Sequence, residues 1–219
     1  MLLEATKLTK IFSVGDSRLY VLKDMNFHVS PGEKVAIIGP SGSGKSTLLN
    51  LLSGLDTPDA GTIRYCGKAY DTYSKSAFSR LRLTEFGYIF QAFHLLSELN
   101  VFDNILLPLS ARQERSKDAA NAVKSICGAL GLSERLYHYP HQLSGGEQQR
   151  VAIARALIGK PSILFSDEAT GNLDAANSRQ VMELLTQCCA DQKVALVFVT
   201  HDMSLVPFAD RVVNLGDSI

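Results

Sequence analysis

Gly39-Pro40-Ser41-Gly42-Ser43-Gly44-Lys45-Ser46-Thr47 is the stretch whose reading decides the fold. Gly39, Gly44, Lys45 and Ser46 stand at the spacing of a phosphate-binding loop. Before it, Val35-Ala36-Ile37-Ile38 is an apolar run of strand length. Behind it Leu48, Leu49, Leu51, Leu52 and Leu55 recur at helical spacing. Strand, glycine-rich turn and helix are the setting the pattern requires. Glycine lets the backbone curl so that successive N–H groups point at phosphate oxygens. The helix start adds roughly half a unit of positive charge. In this setting Lys45 reaches the β- and γ-phosphates and the Ser46 hydroxyl ligates Mg²⁺. A glycine-rich turn that only packs a helix on a sheet is the alternative, and the flanking strand and helix weigh against it. The expectation is a nucleoside triphosphate site.

The 219 residues suffice for one large domain, or a core with a subdomain. Charge is balanced, 22 basic against 22 acidic residues, so no global field favours nucleic acid or an anionic membrane. Cys66, Cys127, Cys188 and Cys189 show no C-x-x-C spacing and read as reduced thiols. Met1-Leu2-Leu3-Glu4 lacks a signal peptide's basic start and long apolar core. No apolar run approaches the roughly 20 residues that span a bilayer. Any membrane role is expected to come through a partner.

Residues 2–38 read as strands separated by turns, with Ser30-Pro31-Gly32 a turn before the strand that feeds the loop. Pro58–Gly61 is another turn, followed by the strand-like Thr62–Tyr65. A surface helix is expected over 74–86, and a short strand at Tyr88-Ile89-Phe90, ending at Gln91. Strand signals then vanish until about Pro140, and Ser116–Leu130 reads as a helix with one apolar face. Ser144–Ile158 is a strong helix, with Ser144 as N-cap, Glu147 completing a capping box, and Gly159 and Pro161 ending it. Ile163-Leu164-Phe165 and Val194–Val199 are buried strands, Val181–Leu185 sits on a helix, and Arg211–Leu215 is a last edge. Helices alternating with apolar strands imply an α/β fold, mostly a parallel sheet covered on both faces.

Two further stretches carry chemistry. Ile163–Phe165 leads into Ser166-Asp167-Glu168, an apolar strand ending in two carboxylates. Asp167 is expected to hold Mg²⁺, an ion that favours one or two carboxylates plus substrate phosphates. Glu168, one residue on, is placed to polarise a water attacking the γ-phosphate. The second stretch is Leu143-Ser144-Gly145-Gly146-Glu147-Gln148-Gln149-Arg150. Its capped helix start and exposed N–H groups make a second anion site; the residues alone equally allow a plain capping box. With one loop already holding phosphates, a second anion site makes sense if it serves a nucleotide bound to another subunit.

The order of the phosphate loop, Gln91, Leu143–Gln148, Asp167-Glu168, Gly171-Asn172-Leu173-Asp174 and Thr200-His201-Asp202 resembles the nucleotide-binding subunit of an ATP-binding cassette (ABC) transporter over essentially the whole chain. The resemblance implies a P-loop NTPase of ABC type, with an N-terminal antiparallel β subdomain and an inserted helical subdomain. The core would occupy about 1–90 and 157–219 of a single domain, and the helical insert about 91–156. It implies ATP and Mg²⁺, and a head-to-tail homodimer sandwiching two ATP molecules between one loop and the other subunit's signature (Ser144, Gly145, Gly146). On the matching positions, Gln91 is similar to the residue that touches Mg²⁺ and the attacking water and senses the membrane partner. His201 is similar to the histidine on the γ-phosphate, and Asp174 to the residue that speaks across the dimer. Phe12 aligns with the aromatic that stacks on adenine, and Tyr20 is a nearby competitor. The family usually has proline where this chain has Ala169, which leaves the Glu168 backbone freer.

Gly87–Leu96, Asn104–Leu109 and Gly171–Asp174 are similar to the lipoprotein-releasing and macrolide-exporter ATPases. A cell-division cassette with a permease-like partner has related motifs. A soluble cassette of DNA repair or translation would bring a coiled-coil insertion or two cassettes in one chain, and a kinase has no use for Leu143–Gln148. The resemblance places the chain at the cytoplasmic face of a cell membrane through permease subunits, with no nucleic acid partner. The apolar segment Ala92-Phe93-His94-Leu95-Leu96, with Val101 and Phe102, is expected to line the permease groove beside Gln91. His28, His94, His138 and His141 show no metal-ligand spacing.

Overall fold

The computed structural model describes residues 1–15, 17–114, 117–171 and 174–216. The chain opens with two long strands, β1 (Leu3–Val14) and β2 (Ser17–Val29), joined as an antiparallel hairpin. β3 (Lys34–Ile38) feeds the glycine-rich loop, and α1 (Lys45–Leu52) follows it. β4 (Ala60–Tyr65) and the short β5 (Lys68–Ala69) return to the hairpin, giving an antiparallel sheet in the order β2-β1-β4-β5.

α2 (Lys75–Glu85) leads into β6 (Phe86–Ile89). Among the described residues three α-helices follow without a strand between them: α3 (Val101–Ala111), α4 (Lys117–Ala129) and α5 (Gly145–Leu157). The chain then re-enters the sheet with β7 (Ile163–Asp167), α6 (Ala175–Gln192), β8 (Ala195–Val199) and β9 (Arg211–Asn214). The second sheet runs β6-β7-β8-β3-β9, every pair parallel. The fold is the α/β P-loop arrangement, with an antiparallel sheet at its N-terminal side and helices inserted between two neighbouring strands.

Alternation along the central strands divides the core in two, as the pleat requires. Val35, Ile37, Ile163, Phe165, Val197 and Val199 face α1 and the antiparallel sheet. Ala36, Leu164, Leu196 and Phe198 face α5, α6 and the inserted helices. Both faces are covered, so these strands are apolar at nearly every position.

Several boundaries differ from expectation, for local reasons. α1 stops at Leu52 because Gly54 turns the chain at φ 68, and Leu55 is left 47% exposed instead of on the helix face. β6 begins at Phe86, not Tyr88, because Phe86 pairs with Ile163, and Phe90 lies beyond it. α6 reaches well outside Val181–Leu185, since Asp174 caps it by accepting from the Asn177 N–H. Ser116 lies outside the described residues, as do Asn172 and Leu173 of the Gly171–Asp174 motif. α3 has its own cap, Asn100, which accepts from the Asp103 N–H at 2.9 Å. Fully buried Asn104 bonds the backbone of Leu96, Leu99 and Asn100 and pins the segment leading into α3.

Candidate functional site

The loop between β3 and α1 is a cradle. Gly42 and Gly44 have φ 81 and 89, a region that side chains disfavour. A Cβ on Gly44 would also lie 2.9 Å from Val21 Cγ1, so glycine lets β2 close against the loop. Ser43 Oγ is buried with no hydrogen-bond partner. Buried Lys45 curls over the loop, its Nζ donating to the carbonyls of Gly39 at 3.0 Å and Pro40 at 2.8 Å. Ser41 is exposed and Thr47 half-buried on the first turn of α1.

β7 runs beside β8, which runs beside β3, and this order carries the strand-end carboxylates to the loop. Ser46 Oγ donates to Asp167 Oδ1 at 2.9 Å. Burial pushes the Asp167 carboxyl above its usual range and neighbouring Glu168 adds to this; the Ser46 hydrogen bond and Lys45 pull the other way. Glu168 adopts φ 44, a left-handed conformation costing a non-glycine residue about 1–3 kcal/mol. Its carboxylate is held on both oxygens: Gln91 Nε2 donates to Oε2 at 3.3 Å, and His201 Nδ1 stands 3.4 Å from Oε1. Ala169 is buried in the core beneath it. The donor set of Ser46 hydroxyl, Asp167 carboxylate and Gln91 amide oxygen is hard and oxygen-rich, which suits Mg²⁺. Cradle, orphaned hydroxyl and lysine together suit a nucleotide's phosphates.

Phe12 and Tyr20 sit on the β1–β2 hairpin on opposite faces, because Phe12 pairs with Leu19 while Tyr20 pairs with Ile11. Lys10, two residues before Phe12 and on its face, places Nζ 5.5 Å from the Phe12 ring and bonds Asp56 and Thr57 just beyond α1. Phe12 therefore shares the face turned toward the loop helix.

Ser144, Gly145 and Gly146 lie elsewhere, at the start of α5. Ser144 Oγ accepts from the Glu147 N–H at 3.3 Å, and Glu147 Oε2 accepts from the Ser144 N–H at 2.8 Å. Those backbone and Arg135 hydrogen bonds hold the Glu147 carboxyl down to about 2. A cavity of about 840 Å³ opens there, lined by Ser144, Gly145, Gly146, Arg150, Asp174 and Asn177. Asp174 thus joins this second group and not the loop. The structure forms two groups: the loop with Gln91, Asp167, Glu168 and His201, and the α5 start with Asp174.

A third feature is a groove of about 480 Å³ between β6, α3 and α5, lined by Tyr88, Phe90, His94, Leu107, Pro108 and Ala111 among others. The segment expected to line a docking groove contributes little to this one. Val101 is 1% exposed and belongs to the core, and Leu95 and Phe102 pack against that core. Leu96 is 46% exposed and lies outside the groove's lining. Of the expected segment, His94 lines the groove, its ring edge-on to Phe90 at 5.0 Å. Two arginines in the same lining were missed by sequence reasoning: Arg112 donates to the carbonyls of Leu83, Thr84 and Gly159, and Arg155 to those of Phe93 and His94. A lone cation inside the apolar run Val151–Leu157 was the available signal for Arg155.

Glycine-rich cradle, strand-end acids and a capped second anion site define a P-loop ATPase cassette. Residues 22–171 match the family model for the ABC transporter, and the chain belongs to that family. It is 44% identical over 217 residues to the lipoprotein-releasing system ATP-binding protein LolD of Hydrogenovibrio crunogenus, covering 99% of this chain and 94% of the relative. It is 42% identical over 218 residues to the macrolide export ATP-binding/permease protein MacB of Chlorobaculum tepidum, covering all of this chain and 33% of that longer protein. Among solved structures it resembles a dimeric post-hydrolysis state of the ATP-binding cassette MJ0796 bound to ADP and Pi. That likeness has a TM-score of 0.89 at 33% identity and covers 99% of this chain and 95% of that one.

Proposed function

We propose that this chain is the ATP-binding and ATP-hydrolysing subunit of a membrane ABC transporter of the lipoprotein-releasing or macrolide-exporting kind, working as an ATP-driven head-to-tail dimer. One observation carries the dimer: the chain has two phosphate-type sites, and the residues of one do not line the other. Two copies placed head to tail join each loop to the partner's α5 start.

In this reading the loop N–H groups and Lys45 hold the phosphates, Lys45 exchanging its Gly39 and Pro40 carbonyls for phosphate oxygens. Phe12 stacks on the adenine. Ser46, Asp167 and the amide oxygen of Gln91 would hold Mg²⁺, which would supply positive charge against the phosphates. Glu168 accepts a proton from the water that attacks the γ-phosphorus, as the new P–O bond forms and the β–γ bridge breaks. Gln91 and His201 hold the two oxygens of that carboxylate and so aim the base.

Among the described residues no helix is long and apolar enough to cross a membrane. The likeness to lipoprotein-releasing and macrolide-export ATPases supports permease subunits that dock on the chain at the cytoplasmic face. The groove between β6, α3 and α5 is the docking place in this reading, since it is mostly apolar and is lined by Phe90 and His94, on either side of Gln91.

Glu168→Gln tests the reading. It keeps the shape and removes the base, so ATP binds without turnover and the monomer sediments as a dimer only with ATP. Equal sedimentation with and without ATP rules out the sandwich.

A further inference from the structure

We infer that Arg155 is a positioning residue that ties the anion site at the start of α5 to Gln91 of the same chain, so that nucleotide held at Ser144 sets where Gln91 stands. The inference rests on the head-to-tail reading, in which the Ser144 site and the Gln91 site serve different ATP molecules.

The path is short and made of rigid parts. Ser144 caps α5, and Arg155 lies about three turns on, roughly 16 Å along the same helix. Val151, Ile153, Ala154 and Leu157 are all 0% exposed, so α5 moves as a packed body and not as a frayed end. From it the Arg155 guanidinium donates to two consecutive carbonyls, His94 at 2.6 Å and Phe93 at 2.8 Å. His94 is itself held at φ 46, with its ring against Phe90. The Phe90–His94 ring contact joins the two ends of the segment from 90 to 94, and the fork of hydrogen bonds ties its 93–94 end to α5. Gln91 lies inside it, with Nε2 on the Glu168 carboxylate.

The charge argues for a role beyond packing. Arg155 is half-buried, and none of the ion pairs among the described residues includes it. Burial pushes its pKa down, as for a cation drawn out of water. An apolar side chain of similar length would fill the space without that cost. What only the planar fork supplies is a fixed distance between a helix and two backbone carbonyls.

The consequence is a link between the two ATP sites. Nucleotide closing on Ser144 draws α5, Arg155 carries the shift to residues 93–94, and Gln91 is brought onto or off the Glu168 carboxylate.

The test is ATPase activity of the full chain as a function of ATP, for the wild type, Arg155→Met and Arg155→Lys. Methionine keeps bulk and removes the fork; lysine keeps the charge and serves as the test if methionine does not fold. The wild type should be sigmoidal, with a Hill coefficient approaching about 2, the number of sites. Both variants should lose about 10- to 100-fold in kcat, the scale of an ångström-level misplacement, and their Hill coefficient should fall below the wild-type value while staying above 1, because the dimer still needs two ATP molecules. ATP-driven dimerisation in the Glu168→Gln background should persist, which a general loss of packing would not allow. A lower kcat with wild-type sigmoidality overturns the link, and unchanged kcat and Hill coefficient overturn the positioning role. If Glu168→Gln itself stays monomeric, the head-to-tail reading is what fails, and the inference falls with it.

Discussion

Ser46 Oγ and the Asp167 carboxylate meet at 2.9 Å although 121 residues separate them in the chain. The sheet order β7-β8-β3 makes that meeting possible. Asp167 is partly withdrawn from water with Glu168 beside it, so it gains when a cation arrives. Ser46→Ala removes one oxygen donor and leaves the loop N–H groups and Lys45 in place. We expect ATP affinity in Mg²⁺ to fall roughly tenfold, the loss of about one hydrogen bond to a charged group. With EDTA present, wild type and variant should bind ATP alike. Calorimetric titration with and without metal reads both, and equal losses in the two conditions would show that Ser46 acts on the phosphates alone.

Ser144 stands on the rim of the second cavity, clear of the loop. Ser144→Arg fills that rim and costs the helix its cap, about 1 kcal/mol. ATP binding to the monomer should stay within about threefold, since the loop's donors are untouched. The ATP-induced dimer in the Glu168→Gln background should disappear. Sedimentation at saturating ATP checks this, and an intact dimer would remove Ser144 from the interface.

Charge placed along the groove should separate docking from folding. Leu107→Asp lies on the half-buried α3 face that lines the groove; it should leave ATPase of the isolated subunit within twofold or so and abolish co-purification with permease. Leu96→Asp, largely exposed, should leave both intact. Val101→Asp puts a carboxylate at a core position and should prevent folding, at a cost of several kcal/mol. Pull-down, ATPase and circular dichroism on the three variants decide among these outcomes.

The Glu147 cap gives a pH dependence. Its carboxyl sits at about 2 in the folded chain against an ordinary 4.5. A depressed acid stabilises the fold fully above its unfolded value and loses that contribution as pH falls through the folded one. The contribution should therefore fade between about pH 4.5 and 2. Glu147→Gln lacks it, so the gap in melting temperature between wild type and variant should be constant from pH 7 to 5 and narrow below that. A gap that widens on acidification would contradict the assignment.

What could be read from the sequence was what is contiguous. The phosphate loop is nine residues in a row between an apolar strand and a leucine-rich helix, and the Ser144–Glu147 box closes within one turn. Period-two and period-three-to-four patterns placed most strands and helices. Less legible was whatever depends on partners far along the chain. β6 begins at Phe86 because Ile163 lies opposite, and no local pattern announces that register. Val101 and Leu96 look equally apolar in sequence, and only the packing of α3 sends one to the core and leaves the other outside. The groove is built from α3, α5 and β6 together, so a reading confined to residues 92–102 found its edge at His94 and missed its floor. Arg112 and Arg155 bind backbone carbonyls, which carry no side-chain identity for a sequence pattern to match.

β3, the strand that delivers the phosphate loop, has β8 and β9 as its neighbours, on opposite sides. Both come from the last stretch of the chain. During synthesis β3 therefore leaves the ribosome with each edge open, and its first partner follows ~160 residues later, a wait of roughly ten seconds or more at ordinary elongation rates. The β1–β2 hairpin can form at once, and its Leu22, Phe27 and Val29 share one apolar cluster with Val35 and Ile37. That early antiparallel layer shields one face of β3 while its edges wait. The nucleotide site is consequently among the last parts of the nascent chain to take shape, and a ribosome-stalled chain ending before β8 has a loop without the strand that aligns it.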